Sequence, residues 1–382
     1  MRPLILTNNP NLASTSRVLQ QWLTGSGDTL DACVATQREG EFSGWLEANN
    51  IPHQITPMPQ PSKRWPLPGM WYAWRLASWA RAQNVDAIHC NEHDVYPFAL
   101  LVKRLLQVPI VCHVRFRIST EFCRWAFGRP QRQPDALLWT SQQQQLDCAE
   151  AIEGIVPEEK QHIIPLGVDL NRIGDLTSLR TTVRQAWGID EDAIVLAQAC
   201  ALRPIKQLEH FVDLVADLTK QDSRIVGIVA GDAPPGGSSY RDELNRYADR
   251  AQLGNRLRWL GHVDAIEPLL AGADIFVSTS QYETFGNSVC EAMACGTPVV
   301  GYEGGSVKEV VGDTGRIVKT GDRAGLGAAV RELVADGAER KDLGRLARER
   351  VAACFNPAGS LRKLKEIYAS ILEQRSTQRW AA

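Results

Sequence analysis

The sequence predicts an α/β protein of two doubly wound domains that face a central cleft. Three observations predict it. Short runs that are apolar on both faces alternate with longer amphipathic stretches, as buried parallel strands alternate with covering helices. The alternation stops at "HIIPLGVDLNRI" (162–173) and then restarts, so there are two series. The chain has 382 residues, room for two to three domains.

In the first series, "PLILT" (3–7) reads as a strand, followed by a polar loop and the helix "STSRVLQQWLT" (14–24). "LDACVAT" (30–36) precedes "EFSGWLEAN" (41–49), and "DAIHC" (86–90) precedes "YPFALLVKRLLQ" (96–107). "PIVCHV" (109–114) follows, then "ALLWT" (136–140) with the helix "SQQQQLDCAEAI" (141–152). In the second series "AIVLAQAC" (193–200) precedes "KQLEHFVDLVADLTK" (206–220), and "RIVGIVAG" (224–231) precedes "SSYRDELNRYADRA" (238–251). "RLRWLG" (256–261), "AIEPLLAGA" (265–273), "DIFVSTS" (274–280), "SVCEAMAC" (288–295) and "TPVVGY" (297–302) continue the alternation. From Arg323 onward the pattern is mostly helical. This places domain limits at 1–164 and 165–360, with a final helix over 361–382 expected to pack back toward the first domain.

One segment stands apart. Pro57, Pro59, Pro61, Pro66 and Pro68 make an extended loop, and Trp65, Trp71, Trp74 and Trp79 then recur at near-helical spacing. A core helix accounts for that spacing. An exposed aromatic and basic rim, meeting an acceptor or a membrane surface, accounts for it too.

Composition excludes several classes. With 44% hydrophobic and 23% charged residues the chain carries too much apolar surface to stay disordered. A net charge of −2 gives no bulk argument for nucleic acid as a partner. The nine cysteines form no Cys-x-x-Cys pair and most lie in apolar runs, so they read as reduced core residues of a cytoplasmic protein. The apolar start is too short for a signal-peptide core, and no run of about 18 apolar residues suggests a membrane span.

The richest stretch is "SQYETFGNSVCEAMACGTPVVGYEGGSVKEVV" (280–311), which follows a predicted strand and opens a helix. Glu283 precedes the helix start and Glu291 follows it, with Phe285, Gly286, Asn287 and Ser288 between. Free N–H groups and the positive dipole end at such a start suit an anion, and Gly286 lets backbone approach a ligand. The spacing of Ser288 and Glu291 also fits a capping box, a purely structural role. Glu283 sits in a loop where no cap needs it. Arg203 and Lys206 follow the first strand of the second series, where two cations suit a phosphate or diphosphate.

Together these stretches resemble the retaining glycosyltransferases of family 4, which have the GT-B fold of two Rossmann-like domains. The resemblance rests on "LRPIK", "VAGDAP" (229–234), "LGHVD" (260–264), "ADIFVSTSQYETFGNSVCEAMACGTPVV" (273–300), "GGSVKEVV" (304–311) and the linker "PLGVD" (165–169). It is ordered over roughly 165–320 and weaker before that. The resemblance implies transfer of a sugar from a nucleotide-diphosphate donor to a hydroxyl acceptor. Glu291 would hold the ribose hydroxyls and Glu283 the transferred sugar near its reacting carbon. Arg203 and Lys206 would hold the diphosphate. Phe285, Gly286, Asn287 and Ser288 would give backbone contacts, Val263 the base-edge contact, and Gly231 a place in the same donor site. His113, at the end of "PIVCHV", would lie against the donor sugar.

Retention further implies that the acceptor attacks from the leaving-group face while a phosphate oxygen takes its proton. No metal or other cofactor is expected. The one Asp-x-Asp motif, at Asp190 and Asp192, falls in a polar turn before a strand. UDP is slightly preferred over GDP as the donor base. The chain departs from the family in the loop "TNNPNLASTSRV" (7–18), which lacks the family's two glycines. Ser14, Thr15 and Ser16 are expected to supply donors there, with His93 and Arg115 also on the acceptor side. Between residues 60 and 135 eleven basic residues stand against five acidic ones, an excess that suits a glycan, lipid-linked or phosphorylated acceptor at an anionic surface. Peripheral contact with the inner membrane surface is therefore an open reading. The alternatives are a GT-B-fold sugar-nucleotide epimerase and a non-catalytic partner subunit. A nicotinamide-dependent dehydrogenase is disfavoured, because no Gly-x-Gly-x-x-Gly follows the first strand.

Overall fold

The computed structural model describes residues 1–12, 14–25, 28–60, 66–234 and 237–381, with side chains except at 14, 66, 67, 172, 238, 376 and 378–381. The chain divides into two compact units, Met1–Leu166 with Pro357–Ala382, and Gly167–Asn356.

Unit 1 holds a seven-stranded sheet in the order β3-β2-β1-β4-β5-β6-β7, parallel throughout. The strands are β1 (Pro3–Thr7), β2 (Cys33–Thr36), β3 (His53–Ile55), β4 (Ala87–Cys90), β5 (Ile110–Val114), β6 (Ala136–Trp139) and β7 (Gln161–Ile163). Helices α1 (Ser14–Thr24), α2 (Glu41–Ala48), α3 (Pro66–Ala82), α4 (Tyr96–Leu106), α5 (Thr120–Phe127), α6 (Gln142–Asp147) and α7 (Ala149–Ile152) fill the crossovers. Every residue of β1, β2, β4, β5 and β6 is buried, as sequences apolar on both faces require. The helix expected over 141–152 is two helices, because Cys148 leaves helical geometry between them.

Unit 2 holds a six-stranded parallel sheet in the order β10-β9-β8-β11-β12-β13. Its strands are β8 (Ile194–Ala199), β9 (Ile225–Ala230), β10 (Leu257–Gly261), β11 (Ile275–Ser278), β12 (Val299–Tyr302) and β13 (Arg316–Val318). Its helices are α8 (Leu176–Ala186), α9 (Leu208–Thr219), α10 (Ser238–Arg250), α11 (Glu267–Gly272), α12 (Asn287–Ala294), α13 (Val307–Val311), α14 (Arg323–Ala335) and α15 (Gly337–Cys354). The chain then returns to unit 1 as α16 (Pro357–Ala381), whose Tyr368 is buried and hydrogen-bonds His89 of β4. In α9 the buried Leu208, Phe211, Val212, Val215 and Leu218 recur at helical spacing. Each fully buried side chain of this kind contributes about 1.5–3 kcal/mol.

The strand order of each unit reverses once, between β1 and β4 in unit 1 and between β8 and β11 in unit 2. Ligands of open α/β sheets bind outside the carboxyl ends of strands at such a point, where the loops part.

Candidate donor site

The expected donor residues all lie past the carboxyl ends of β8, β9, β10 and β11 in unit 2. Arg203 and Lys206 follow β8, Gly231 follows β9, Val263 follows β10, and Glu283 follows β11. Lys206 and Glu283 meet across the reversal point as an ion pair, with side chains only 16% and 15% exposed. The same Glu283 Oε1 accepts from Ser280 Oγ at 2.7 Å. Backbone bonds hold the two loops in register: Gln281 N donates to Ile205 O at 2.8 Å, and Thr279 Oγ1 donates to Lys206 O at 2.7 Å. Ser280 and Thr279 were not singled out from sequence. The available signal was a hydroxyl three residues before the glutamate.

A third loop fixes Glu283 from its other side. Ser306 N donates to Glu283 O at 2.9 Å, and Glu283 bridges Gly305. Gly305 has φ +59, and a Cβ there would stand 2.2 Å from Glu283 O, so only glycine fits. Arg203 is exposed; its carbonyl accepts from Lys206 N at 2.9 Å, and among the described residues its side chain makes no hydrogen bond or ion pair.

Helix α12 begins one residue after Gly286, whose φ of 88 and ψ of 60 are left-handed. No side chain caps this start. Ser288 is therefore the second helical residue and Glu291 lies in the second turn, which corrects the capping-box alternative. Glu291, Asn287 and Ser288 are half-buried. Phe285 is buried against Phe355, ring centroids 5.4 Å apart, so it can offer a ligand its backbone only. Gly231 N is already spent on Gly261 O at 2.7 Å, and a Cβ at Gly231 would stand 1.9 Å from Cys200 O. Close approach of strand ends accounts for this glycine without a ligand. Val263 is half-buried in the loop after β10.

Unit 1 treats its expected residues differently. His113 is fully buried, stacked on Trp22 at 6.4 Å between centroids, with neither ring nitrogen hydrogen-bonded. Burial, with Arg115 and His89 nearby, drives its pKa well down, so the ring is neutral. This placement leaves no open face for a sugar.

The hydroxyls of Thr15 and Ser16 are likewise turned inward, correcting their expected acceptor role. Thr15 accepts from Asn9 Nδ2 at 3.2 Å, and fully buried Ser16 donates to Asn11 O at 2.6 Å. The side chain of Ser14 lies outside the described residues. Arg115 is also internal: its Nε and Nη2 donate to Asn91 O and Oδ1 at 3.1 and 2.9 Å, and burial lowers its pKa to about 10. His93 packs edge-on to Phe122 at 5.1 Å, and burial lowers its pKa to about 4.

Sequence reasoning missed Glu92. It sits at the reversal point of unit 1, 1% exposed, and accepts from Thr7 Oγ1 at 3.1 Å and Asn91 Nδ2 at 2.6 Å. Burial pushes its carboxyl up to about 7, against the pull of Thr7 and Arg115. A carboxylate just past a strand end was the signal for it.

Asp190 and Asp192 lie at the amino end of β8, opposite the donor residues, and are exposed. Among the described residues no group of three or more His, Cys, Asp or Glu could hold a metal ion.

Two family models match the chain: Glycosyltransferase Family 4 over residues 19–172, and Glycosyl transferases group 1 over residues 180–350. The N-acetyl-α-D-glucosaminyl L-malate synthase of Bacillus anthracis is 24% identical over 335 residues, covering 84% of each chain. A D-inositol 3-phosphate glycosyltransferase of Geodermatophilus obscurus is 31% identical over 223 residues, 56% of this chain and 48% of that protein. Among solved structures, HepE of Anabaena in complex with UDP and glucose superposes with a TM-score of 0.85 at 23% identity, covering 97% of this chain and 100% of that one. With both units matched by family models and both sheets arranged as in these structures, the chain belongs to the family 4 glycosyltransferases and has the GT-B fold.

Proposed function

We propose that this glycosyltransferase moves a hexosyl group from a UDP-sugar to a hydroxyl acceptor with retention of configuration and without a metal ion. The observation that carries this reading is the Lys206–Glu283 pair beside the uncapped start of α12. Departure of a nucleoside diphosphate leaves two or three negative charges to be offset. Lys206, the unpaired Arg203 and the first N–H groups of α12 meet that charge directly. When the diphosphate takes Lys206, Glu283 is released to accept hydrogen bonds from the sugar hydroxyls. Ser280 and the Gly305 loop keep its carboxylate in place meanwhile. Glu291 accepts from the ribose hydroxyls, and the reacting carbon becomes oxocarbenium-like. The UDP and glucose held by HepE support a nucleotide-sugar donor, and the N-acetylglucosaminyl and inositol phosphate chemistry named for the two relatives supports glycosyl transfer.

The test is release of nucleoside diphosphate from a panel of UDP- and GDP-sugars in excess EDTA, with the anomeric configuration of the product read by NMR. Loss of turnover that magnesium or manganese restores would overturn the metal-free reading. An inverted product would overturn retention.

A further inference from the structure

Helix α3 of unit 1 has two faces. Ala73, Leu76, Ala77 and Ala80 are fully buried in the core of this unit. On the other side Met70, Trp71 and Trp74 stand 56%, 51% and 57% exposed within little more than one turn. Two tryptophans this exposed on one helix are unusual in a soluble surface, where large apolar patches mark interaction sites. Arg75 lies over the Trp71 ring, its guanidinium carbon 4.9 Å from the centroid. The Trp79 that shares their sequence spacing is half-buried against the core. The core-helix and exposed-rim readings of this segment therefore each describe one face of it.

The charge carried by α3 and α4 has one sign. Neither α3 nor α4, which packs on it, contains an aspartate or glutamate. Arg75, Arg81 and Arg104 are exposed, and among the described residues none of them is in an ion pair. The carboxylates between residues 66 and 106 are Asp86, Glu92 and Asp94. Asp86 accepts from Arg2 N at 2.9 Å, Glu92 is buried, and Asp94 accepts from Asn8. No acid on these helices offsets the arginines.

We propose that the exposed face of α3, together with the exposed Arg104 of α4, the helix that packs on α3, docks this protein onto an anionic lipid surface. An indole ring places its apolar body toward acyl chains and its N–H at headgroup level. Arginine forks match lipid phosphates, and each basic side chain near an anionic leaflet adds to binding. Two such faces would repel each other, which disfavours a second copy of this chain as the occupant. The proposal uses unit 1 alone and does not rest on the donor chemistry.

The test is co-sedimentation of the full chain, without nucleotide sugar, with phosphatidylcholine vesicles and with phosphatidylcholine–phosphatidylglycerol vesicles. Binding is expected to the second only, weakening as salt rises. Trp71→Ser/Trp74→Ser and Arg75→Glu/Arg104→Glu should each lower that binding by at least about tenfold. Both pairs are exposed, so melting temperatures should match the parent. Should the tryptophan pair melt early, Trp74→Ser alone carries the comparison. Failure of the parent to bind anionic vesicles overturns the proposal, as does binding that both variants retain. A dimer dissolved by the tryptophan variant, or tight binding to a single-stranded oligonucleotide without vesicle binding, also overturns it by assigning the face another occupant. Turnover on a soluble nucleotide sugar is a separate measurement, and its failure would count only against the donor reading.

Discussion

Lys206 and Glu283 form an ion pair across the reversal point of the second sheet, 77 residues apart in the chain. Each is the other's partner in the absence of ligand, and each is also the proposed partner of a different part of the donor. The pair thus keeps two charges satisfied in a mostly buried site, a contact that the diphosphate and sugar would replace in the proposed reaction.

Lys206→Met should therefore cost both activity and stability. Losing one cation from a leaving-group clamp costs about 2–4 kcal/mol in the transition state, a drop in turnover of about 30- to 1,000-fold. The remaining Glu283 carboxylate would keep only Ser280 as a side-chain hydrogen-bond partner among those described, so the denaturation midpoint should fall as well. Adding Glu283→Gln should recover part of that stability and none of the turnover. Urea titration and steady-state rates on the four proteins of this cycle check it. A midpoint unchanged in Lys206→Met would mean that the pair contributes nothing to the fold.

With a capping role removed by the placement of the α12 start, Glu291→Gln has a sharper expected outcome. The melting temperature should stay that of the parent. Affinity for free nucleoside diphosphate should fall by about 1.5–3 kcal/mol as charge-assisted hydrogen bonds are lost. Glu283→Gln should instead leave that affinity near the parent's and lower turnover. Calorimetric titration of UDP into each variant separates the two, and equal binding by both would remove Glu291 from the donor site.

Gly305→Ala tests whether the third loop positions Glu283. The added methyl meets Glu283 O, and the left-handed backbone disfavours any side chain. A loss of about 1–3 kcal/mol in stability is expected, together with lower turnover, because relief of the clash moves the glutamate. Thermal melting and turnover measured together check it. Wild-type values for both would show that the loop gives way without disturbing the site.

Glu92 and the buried histidines should pull stability in opposite directions with pH. The folded Glu92 carboxyl is raised from 4.5 to about 7, so the folded state holds its proton more tightly than the unfolded chain. The stability this group contributes is complete below pH 4.5 and is lost as pH rises toward and through about 7. His89, lowered from 6.5 to about 3, has the reverse sign: its contribution is complete above 6.5 and is lost as pH falls through that window. Glu92→Gln keeps the shape and removes the ionisation. It should flatten the decline between pH 5 and 8, by about 2–3 kcal/mol at the upper end, and leave the acid limb intact. Urea midpoints across that range for parent and variant check it. A parallel pair of pH profiles would show that Glu92 stays ionised in the fold.

Much of this architecture was legible in local patterns. Runs such as "PLILT" and "RIVGIVAG" are apolar on both faces, and only a strand covered on both sides buries them. Short or half-exposed pieces were not. The strands at His53–Ile55 and Arg316–Val318 lie at the edges of their sheets and are not fully buried, so they carry no comparable apolar run. Helix α8 was also missed, although Asp175 caps its start and Gly188 follows its end.

The sequence by itself determined the two βα series, the cations after β8, and the two glutamates around the start of α12, because each depends on residues close together in the chain. Tertiary structure decided which of those groups touch. It joined Lys206 to Glu283, put Ser280 and the Gly305 loop around that carboxylate, and turned Thr15, Ser16, His113 and Arg115 inward. It also separated the tryptophans of α3 into one facing the core and two facing solvent. The physical reason is one of range. Periodicity reports what a segment must bury, whereas partners 77 or 85 residues apart meet only once strand order brings their loops to the same end of a sheet.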